Sequence, residues 1–413
     1  MSVRVENLKI LRCPLDSSEL VLEKDSANIF NGYALEGKLI CQDQNHRFHL
    51  KNGVPQLIPT PIRDQLEFER RKLSFRLSRG RRRFKLKEKS GRLSKEELYL
   101  VEQIQAMDKM ALGYRRYVVD PLDLAPSSAI FYERYEDLLL RDIIGKNIAR
   151  SKEDGVGVVF IEVGSGPGRY LIQYGGKIES DRHACKKYRA HTDIGRFYTY
   201  DKEYSDNLKL IIGIDFSEEM INSVFQWIRE NGLEKLLYED RIIIINAIAQ
   251  HLSLSFDSTP YKDSHKVVTC AFQTLGNQLD RSLQVKMLRK MKEFAEPHGT
   301  IFVSVFNKNV FMEFLPKYYK KIEPSIGPII SSEKNHEKAT LKTRWGVYSR
   351  WFDENELRDL FDAASKAPSF LKLSNVEIKS GDVLPLFPND SDYLTIEDQK
   401  EIRKRAIIAT VEL

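Results

Sequence analysis

Cysteine is scarce: there are four in 413 residues, at Cys13, Cys41, Cys185 and Cys270. So few and so scattered, they exclude a disulfide framework and leave metal, core or incidental roles. Long apolar runs are also missing. The opening MSVRVENLKIL lacks the roughly 7–15-residue apolar core of a signal peptide, and no later run approaches the roughly 18 residues that span a bilayer. The chain therefore reads as cytoplasmic, with no membrane span. No internal repeat and no low-complexity tract occur. What remains, 42% hydrophobic and 30% charged residues, is an ordinary globular composition, and the length predicts two or three domains.

Positive charge is local. The net charge is +6, yet residues 65–92 hold 12 Lys and Arg against 3 Asp and Glu, so the rest of the chain is slightly acidic. Phe68, Phe75 and Phe84 are interleaved with these arginines, which suits either a surface meeting RNA or acidic lipid, or a solvated linker helix.

Five β-branched runs punctuate the second part of the chain: 156–163, 208–214, 241–245, 266–271 and 300–306. Between them, Met220, Ile221, Val224 and Ile228, then Leu283, Met287, Met291 and Phe294, recur at three-to-four spacing and predict amphipathic helices. Strand and helix in alternation predict an open α/β sheet with crossovers. Ser217 stands as a helix N-cap followed by Glu218 and Glu219, and Asp353 with Glu356 forms a similar box. Residues 371–378 and the final RAIIATVEL read as further strands.

The strand VGVVFIEV runs into Gly164, Ser165, Gly166, Pro167, Gly168 and Arg169. The third glycine falls one position early for a dinucleotide fingerprint, which counts against NAD. Glu162, two residues before the loop, would repel a pyrophosphate and suit a ligand with an ammonium group. This E-x-G-S-G-P-G-R pattern resembles the first motif of the class I S-adenosylmethionine-dependent methyltransferases. The resemblance covers about residues 130–413 and implies a Rossmann-like seven-stranded sheet.

It also implies a set of cofactor contacts: Glu162, Gly164, Ser165, Gly166 and Gly168 in the loop, with Asp215 and Phe216 after the second strand. Asn246, Ala247 and Ile248 follow in an adenine-binding segment, and Phe272 and Gln273 face the transferring methyl. Asn246 and Ala247 depart from the family's usual acidic residue followed by a small one, although an Asn carbonyl can still accept from the adenine amino group. A strand-end carboxylate such as Asp215 can accept hydrogen bonds from both ribose hydroxyls. Asp215 lies 53 residues beyond Glu162, so an insertion is expected near 177–207, with Asp201 a rival ribose ligand lacking the right context. A second insertion, near 309–350, would form a substrate lid.

The reaction that the resemblance implies is an in-line displacement whose main requirement is alignment. Asn277 is a candidate substrate contact. His251, Tyr132 and Tyr135 are candidate bases, with packing or surface roles as the alternative. Tyr348, Arg350 and Trp351, in GVYSRWF, resemble a run found in small-molecule members of the family. Arg350 could hold a carboxylate bidentately, or the run could be lid core.

Residues 1–60 read as a small β module. Cys13, Asp16, Cys41 and His46 resemble a zinc ribbon in which Asp replaces one cysteine. That leaves either zinc bound at less than one ion per chain or a metal-free relic. Such ribbons resemble the activator subunit of tRNA and translation-factor methyltransferases and the N-terminal ribbon of bacterial 23S rRNA guanine methyltransferases. The expected plan is a module at 1–60, a basic helical connector at 61–128 and a methyltransferase domain at 129–413. The expected activity is methyl transfer to a small molecule. The alternatives are an RNA methyltransferase, rRNA or tRNA, that binds RNA through the module and residues 65–92, and a non-catalytic cofactor-binding regulator.

Overall fold

The computed structural model describes residues 3–77, 93–118, 127–175, 206–230, 240–278, 280–313, 323, 327–330, 334–335, 337–366, 376–386 and 396–413. The N-terminal strands are β1 (Val3–Arg4), β2 (Leu11–Arg12), β3 (Leu20–Leu22), β4 (Asn28–Phe30), β5 (Tyr33–Cys41), β6 (Arg47–Lys51) and β7 (Val54–Gln56). Three helices follow: α1 (Thr60–Leu77), α2 (Lys95–Val118) and α3 (Ser127–Glu153). Alternation then begins with β8 (Val158–Val163), α4 (Arg169–Gly175), β9 (Leu208–Asp215), α5 (Glu218–Glu230) and β10 (Ile242–Asn246). It continues through β11 (Ser253–Leu254), β12 (His265–Cys270), α6 (Arg281–Ala295) and β13 (Gly299–Phe306). The chain closes with β14 (Thr340–Lys342), β15 (Tyr348–Arg350), α7 (Glu354–Ser365), β16 (Val376–Ser380), α8 (Ile396–Arg405) and β17 (Ala406–Glu412).

The apolar runs form the strands expected of them. All six residues of β8 are buried, which requires a covered sheet on both faces. Along β8 the side chains alternate: Val158 and Phe160 join one core cluster, Val159, Ile161 and Val163 the other. The predicted stripe of α5 enters the first cluster, and Met287, Met291 and Phe294 of α6 enter the second. The Asp353–Glu356 capping box starts α7.

From residue 158 onward the strand order is β10-β9-β8-β12-β13-β17-β16. The first five run parallel, and β17 runs antiparallel to both neighbours. The order reverses between β8 and β12, so a crevice opens above their C-terminal ends, the place where open α/β sheets bind ligands.

The sheet does not stop at seven strands. β7 pairs in parallel with β10, and β6, β5 and β1 follow, so that one sheet has thirteen strands among the described residues. The module expected as a separate unit is thus an extension of the main sheet. It is fastened at two further points: the Tyr33 hydroxyl and Arg4 bond Asp240 just before β10, and Lys51 pairs with Glu218 just after β9 at 2.7 Å. β2 also pairs with β11.

The stretch expected as a basic helical connector, 61–128, contributes helices that pack over the end of β10. α1 and α2 share an apolar cluster, Ile58, Ile62, Leu66, Leu100, Val101 and Ile104, with Ile248 beyond β10. Arg70 bonds Glu218 at 2.8 Å and Asp108 at 3.0 Å. Residues 78–92, including Arg81, Arg82 and Arg83, lie outside the described residues, as do 176–205, which take in nearly all of the insertion expected near 177–207 with Cys185 and Asp201, and residues 314–322 and 371–375. No described helix is long and apolar enough to cross a membrane.

Candidate functional site

The glycine turn sits at the C-terminal end of β8. Gly164, Gly166 and Gly168 all have φ between 51° and 79°, a region in which L side chains are strained. At Gly164 space forbids a side chain as well, since a Cβ there would lie 2.2 Å from Thr274 Cγ2. The turn is therefore pressed against the loop after β12, and its backbone can approach a ligand.

Glu162 is 5% exposed, and its Oε2 has no hydrogen-bond partner. Ser165, 4% exposed, likewise has an unpartnered hydroxyl. Burial pushes the Glu162 carboxyl well above the usual range; Arg169 opposes this, while Glu136 and Asp215 add to it. An unpartnered buried acceptor is costly, and a cationic ligand would satisfy it.

Asp215, at the end of β9, accepts from Gly166 N and Ser217 N, both at 2.8 Å, one on each oxygen. Burial raises it to about 6, against the pull of those backbone N–H groups. A carboxylate has about four acceptor positions, so two remain for a vicinal diol. Asn246 is 3% exposed and donates to Asp215 O at 3.1 Å. Phe216 packs against the apolar cluster that contains Ile248, while Ala247 is buried in the second core cluster. Glu162, Asp215 and Asn246 thus stand at the C-terminal ends of three neighbouring parallel strands, β8, β9 and β10.

On the other side of the turn, Phe272 and Gln273 have φ of 47° and 67°, two successive non-glycine residues in a sparsely populated region. The side chain of Gln273 is committed: it donates to Arg350 O and accepts from Phe306 N at 2.7 Å. It joins the end of β13 to β15. Phe272 lies edge-on to Phe306, with centroids 5.8 Å apart.

Its backbone N–H donates to Glu136 at 2.7 Å. Glu136, 1% exposed on α3, also receives Arg169 at 2.5 Å, Tyr170 at 3.1 Å and the Ser304 hydroxyl. This hub, which ties the glycine turn to β12 and β13, is absent from the sequence reading because an acid on a helix ordinarily faces water. The one local signal is its place among the aromatic and aliphatic residues of YERYEDLLL.

Of the candidate bases, His251 lies 3.6 Å from Glu96 of α2, and burial lowers its pKa against that carboxylate. Tyr135 donates to Pro385 O at 2.5 Å, which makes it a packing residue. Asn277 is half-buried in the turn after Gln273. Tyr132 belongs to α3, but its side chain lies outside the described residues. In the segment expected to form a lid, Tyr348 lies tilted against Tyr99, with ring centroids 5.9 Å apart. Arg350 reaches Glu356 at 3.4 Å and lies over Phe352. Trp351 is fully buried between Phe306 and Phe311, each 5.1 Å away, so it forms a wall rather than a contact surface.

The four expected metal ligands come together in the module. Cys13 Sγ lies 3.3 Å from His46 Nδ1, while Asp16 Oδ2 lies 3.2 Å from both Cys41 Sγ and His46 Nδ1. All four ligand atoms are within 4.8 Å of one another. A tetrahedron with zinc–sulfur bonds of about 2.3 Å and zinc–nitrogen or –oxygen bonds near 2.1 Å has edges of roughly 3.4–3.8 Å, close to these separations. Two similar turns present them: Cys13 N bonds Ser18 O at 2.8 Å and Cys41 N bonds His46 O at 2.9 Å, with Ser17 and Asn45 at positive φ. Ser18 N holds the second Asp16 oxygen at 3.0 Å. The donor set and its orienting hydrogen bond fit zinc.

No protein-family model matches the chain, and no curated protein matches it. Several solved structures are similar in part. The CcbJ methyltransferase from Streptomyces caelestis has a TM-score of 0.39 at 14% identity, covering 75% of this chain and 98% of that one. The plantazolicin methyltransferase BpumL, in complex with SAH, scores 0.38 at 12% identity, with coverage of 77% and 96%. The Burkholderia thailandensis 1,6-didemethyltoxoflavin-N1-methyltransferase, with its namesake compound and S-adenosylhomocysteine bound, scores 0.34 at 13% identity, with coverage of 78% and 92%.

Proposed function

We propose that the chain is an S-adenosylmethionine-dependent methyltransferase acting on a small-molecule acceptor. The observation that carries this is Glu162: a carboxylate almost wholly buried, one oxygen unpartnered, beside a turn whose three glycines all have positive φ. That unpartnered oxygen suits an ammonium group, and Asp215, one strand over, suits a ribose diol. S-adenosylmethionine would supply the activated methyl. The chain's own contribution is to hold the cofactor by Glu162 and Asp215 and to fix the methyl end against the Phe272–Gln273 turn, whose strained backbone Glu136 and Phe306 lock. Alignment of this kind is what a displacement with a good leaving group needs.

A small acceptor is favoured over RNA because Arg70, in the basic segment, is committed to Glu218 and Asp108, and α1 and α2 roof the adenine end of the crevice. Labelled methyl from S-adenosylmethionine, transferred in a host extract that is then fractionated, is expected in the small-molecule fraction. Label in RNA instead would reverse the assignment of the acceptor.

The proposal also fixes a pH dependence. Ribose hydroxyls donate to ionised Asp215, whose folded pKa is raised to about 6. Affinity should therefore be full above that value and fall as pH drops through it. Calorimetry with S-adenosylhomocysteine should show binding about tenfold weaker at pH 5 than at pH 7.5. The contribution of Asp215 to the stability of the empty protein runs the other way, falling as pH rises from about 4 to 6, because this carboxyl holds its proton more tightly folded than unfolded. A flat affinity profile would contradict the role of Asp215.

We further propose that Cys13, Asp16, Cys41 and His46 hold one structural zinc, on the strength of their separations and of the two similar turns that present them.

A further inference from the structure

A cavity of about 240 Å³ lies where the N-terminal module meets the crevice, with His49, Gln56, Ile58, Arg63, Phe216 and Asn246 in its wall. Two of these belong to the expected cofactor set. The others come from the module and from α1, to which no function has yet been given.

Asn246 and Gln56 are register partners in the parallel pair β10–β7. Residues paired in register on neighbouring parallel strands project from the same face, about 4.8 Å apart. Their hydrogen-bonding capacity is half used. Asn246 spends its amide nitrogen on Asp215 O at 3.1 Å, and Gln56 spends its own on Val54 O at 3.3 Å. Each keeps a carbonyl oxygen to which no described residue donates. Arg63 donates from one nitrogen to Thr60 at 3.4 Å, while its buried Nη1 has no partner.

The charged groups Lys51 and Arg70 in the same wall are paired with Glu218, so the spare capacity at the Asn246 end is two adjacent acceptors and one unsatisfied donor near Phe216, with His49 beside Gln56 on β6. An aminopurine matches that set: its exocyclic amino group donates twice and its ring nitrogens accept. A 6-oxopurine does not, because its oxygen would face the two carbonyl oxygens and leave them unpaired.

We propose that the N-terminal module completes the cofactor's adenine pocket, with Gln56 beside Asn246 accepting from the adenine amino group and Arg63 donating to a ring nitrogen. This rests on the S-adenosylmethionine reading above and extends it. Gln56 is then a specificity-determining residue supplied by a segment that sequence alone sets apart as an accessory module.

The test is titration of the full chain with S-adenosylhomocysteine and with its inosine analogue, which carries an oxygen in place of the amino group. Wild type should prefer the adenine ligand by at least about 30-fold. Gln56→Leu should bind it about tenfold more weakly while binding the inosine analogue within about twofold of wild type, so that the preference collapses. Gln56→Glu, which keeps shape and acceptor, should retain the preference and provides the check should the leucine variant fold poorly. Equal losses for both ligands in Gln56→Leu would mean simple packing and would overturn the proposal. So would wild-type affinity in Gln56→Leu alongside lost affinity in Asp215→Ala, an outcome that leaves the cofactor reading standing. No binding of S-adenosylhomocysteine by wild type would overturn both.

Discussion

Replacing Asp215 with alanine should weaken S-adenosylhomocysteine binding about 100-fold, as read by calorimetry. Two hydrogen bonds from ribose hydroxyls to a buried carboxylate are worth about 1.5 kcal/mol each at the lower end for charged acceptors, and about 1.4 kcal/mol is a factor of ten. The loss has a second source. Asp215 Oδ2 accepts from Gly166 N at 2.8 Å, so the same carboxylate braces the glycine turn, and alanine frees that turn as well. Stability should change far less than affinity. Burial already disfavours the charge, as its upward pKa shift shows, so removing it relieves a desolvation cost while orphaning two backbone donors. Asp215→Asn, which keeps one acceptor oxygen without charge, should fall between the two, near tenfold. Wild-type affinity in the alanine variant would remove the basis for placing a ribose there.

Much of this site is legible in the sequence because its signals are local. A strand buried on both faces must be an apolar run, as VVFIEV is, and a turn with three positive-φ positions must be written in glycine. A carboxylate inside such a run, as at Glu162, is conspicuous because it breaks the pattern. The strands and the amphipathic stripes of α5 and α6 follow from the same periodicities. What escapes is whatever depends on distant partners. β7 is three residues long and includes Pro55; nothing in VPQ says that it pairs with a strand 190 positions later, yet that pairing turns an accessory module into part of the main sheet. Glu136 is equally mute, since its burial comes from Arg169, Phe272 and Ser304. Arg70 misleads in the other direction: it lies in a run that reads as a solvated or RNA-facing surface, and the fold employs it internally on Glu218 and Asp108. The ligand set Cys13, Asp16, Cys41 and His46 is legible too, although His46 stands five residues after Cys41 where Asp16 stands three after Cys13. The structure gives the physical reason for it: in the second turn Gln44 occupies the position equivalent to Asp16, and His46 reaches the cluster from two residues further on.

Zinc removal is the other large effect to expect, and it should reach beyond the module. Elemental analysis should find about one zinc per chain, falling close to zero in Cys41→Ser. With free zinc a thousandfold above its dissociation constant, the bound ion contributes about 4 kcal/mol to the folded state, so a strong chelator should lower the melting temperature by roughly 5 °C in a protein of this size. Binding should weaken as pH falls, because the ligand thiols must release protons. Burial sets Cys13 up at about 12 without metal, and the ion has to displace that proton. The consequence for the crevice follows from connectivity. Cys41 ends β5, and β5 leads through β6 and β7 to Asn246 at the tip of β10. Cys13 and Cys41 also belong to the apolar cluster that underlies β8, β9 and β10. Loosening the ribbon therefore loosens the edge against which the adenine end of the cofactor would rest. Chelated protein should bind S-adenosylhomocysteine more weakly, by a few-fold, and recover on adding zinc back. A preparation with no zinc and no response to chelation would make the four groups a hydrogen-bonded polar knot instead, held by the contacts among Cys13, Asp16, Cys41 and His46 and by Ser18.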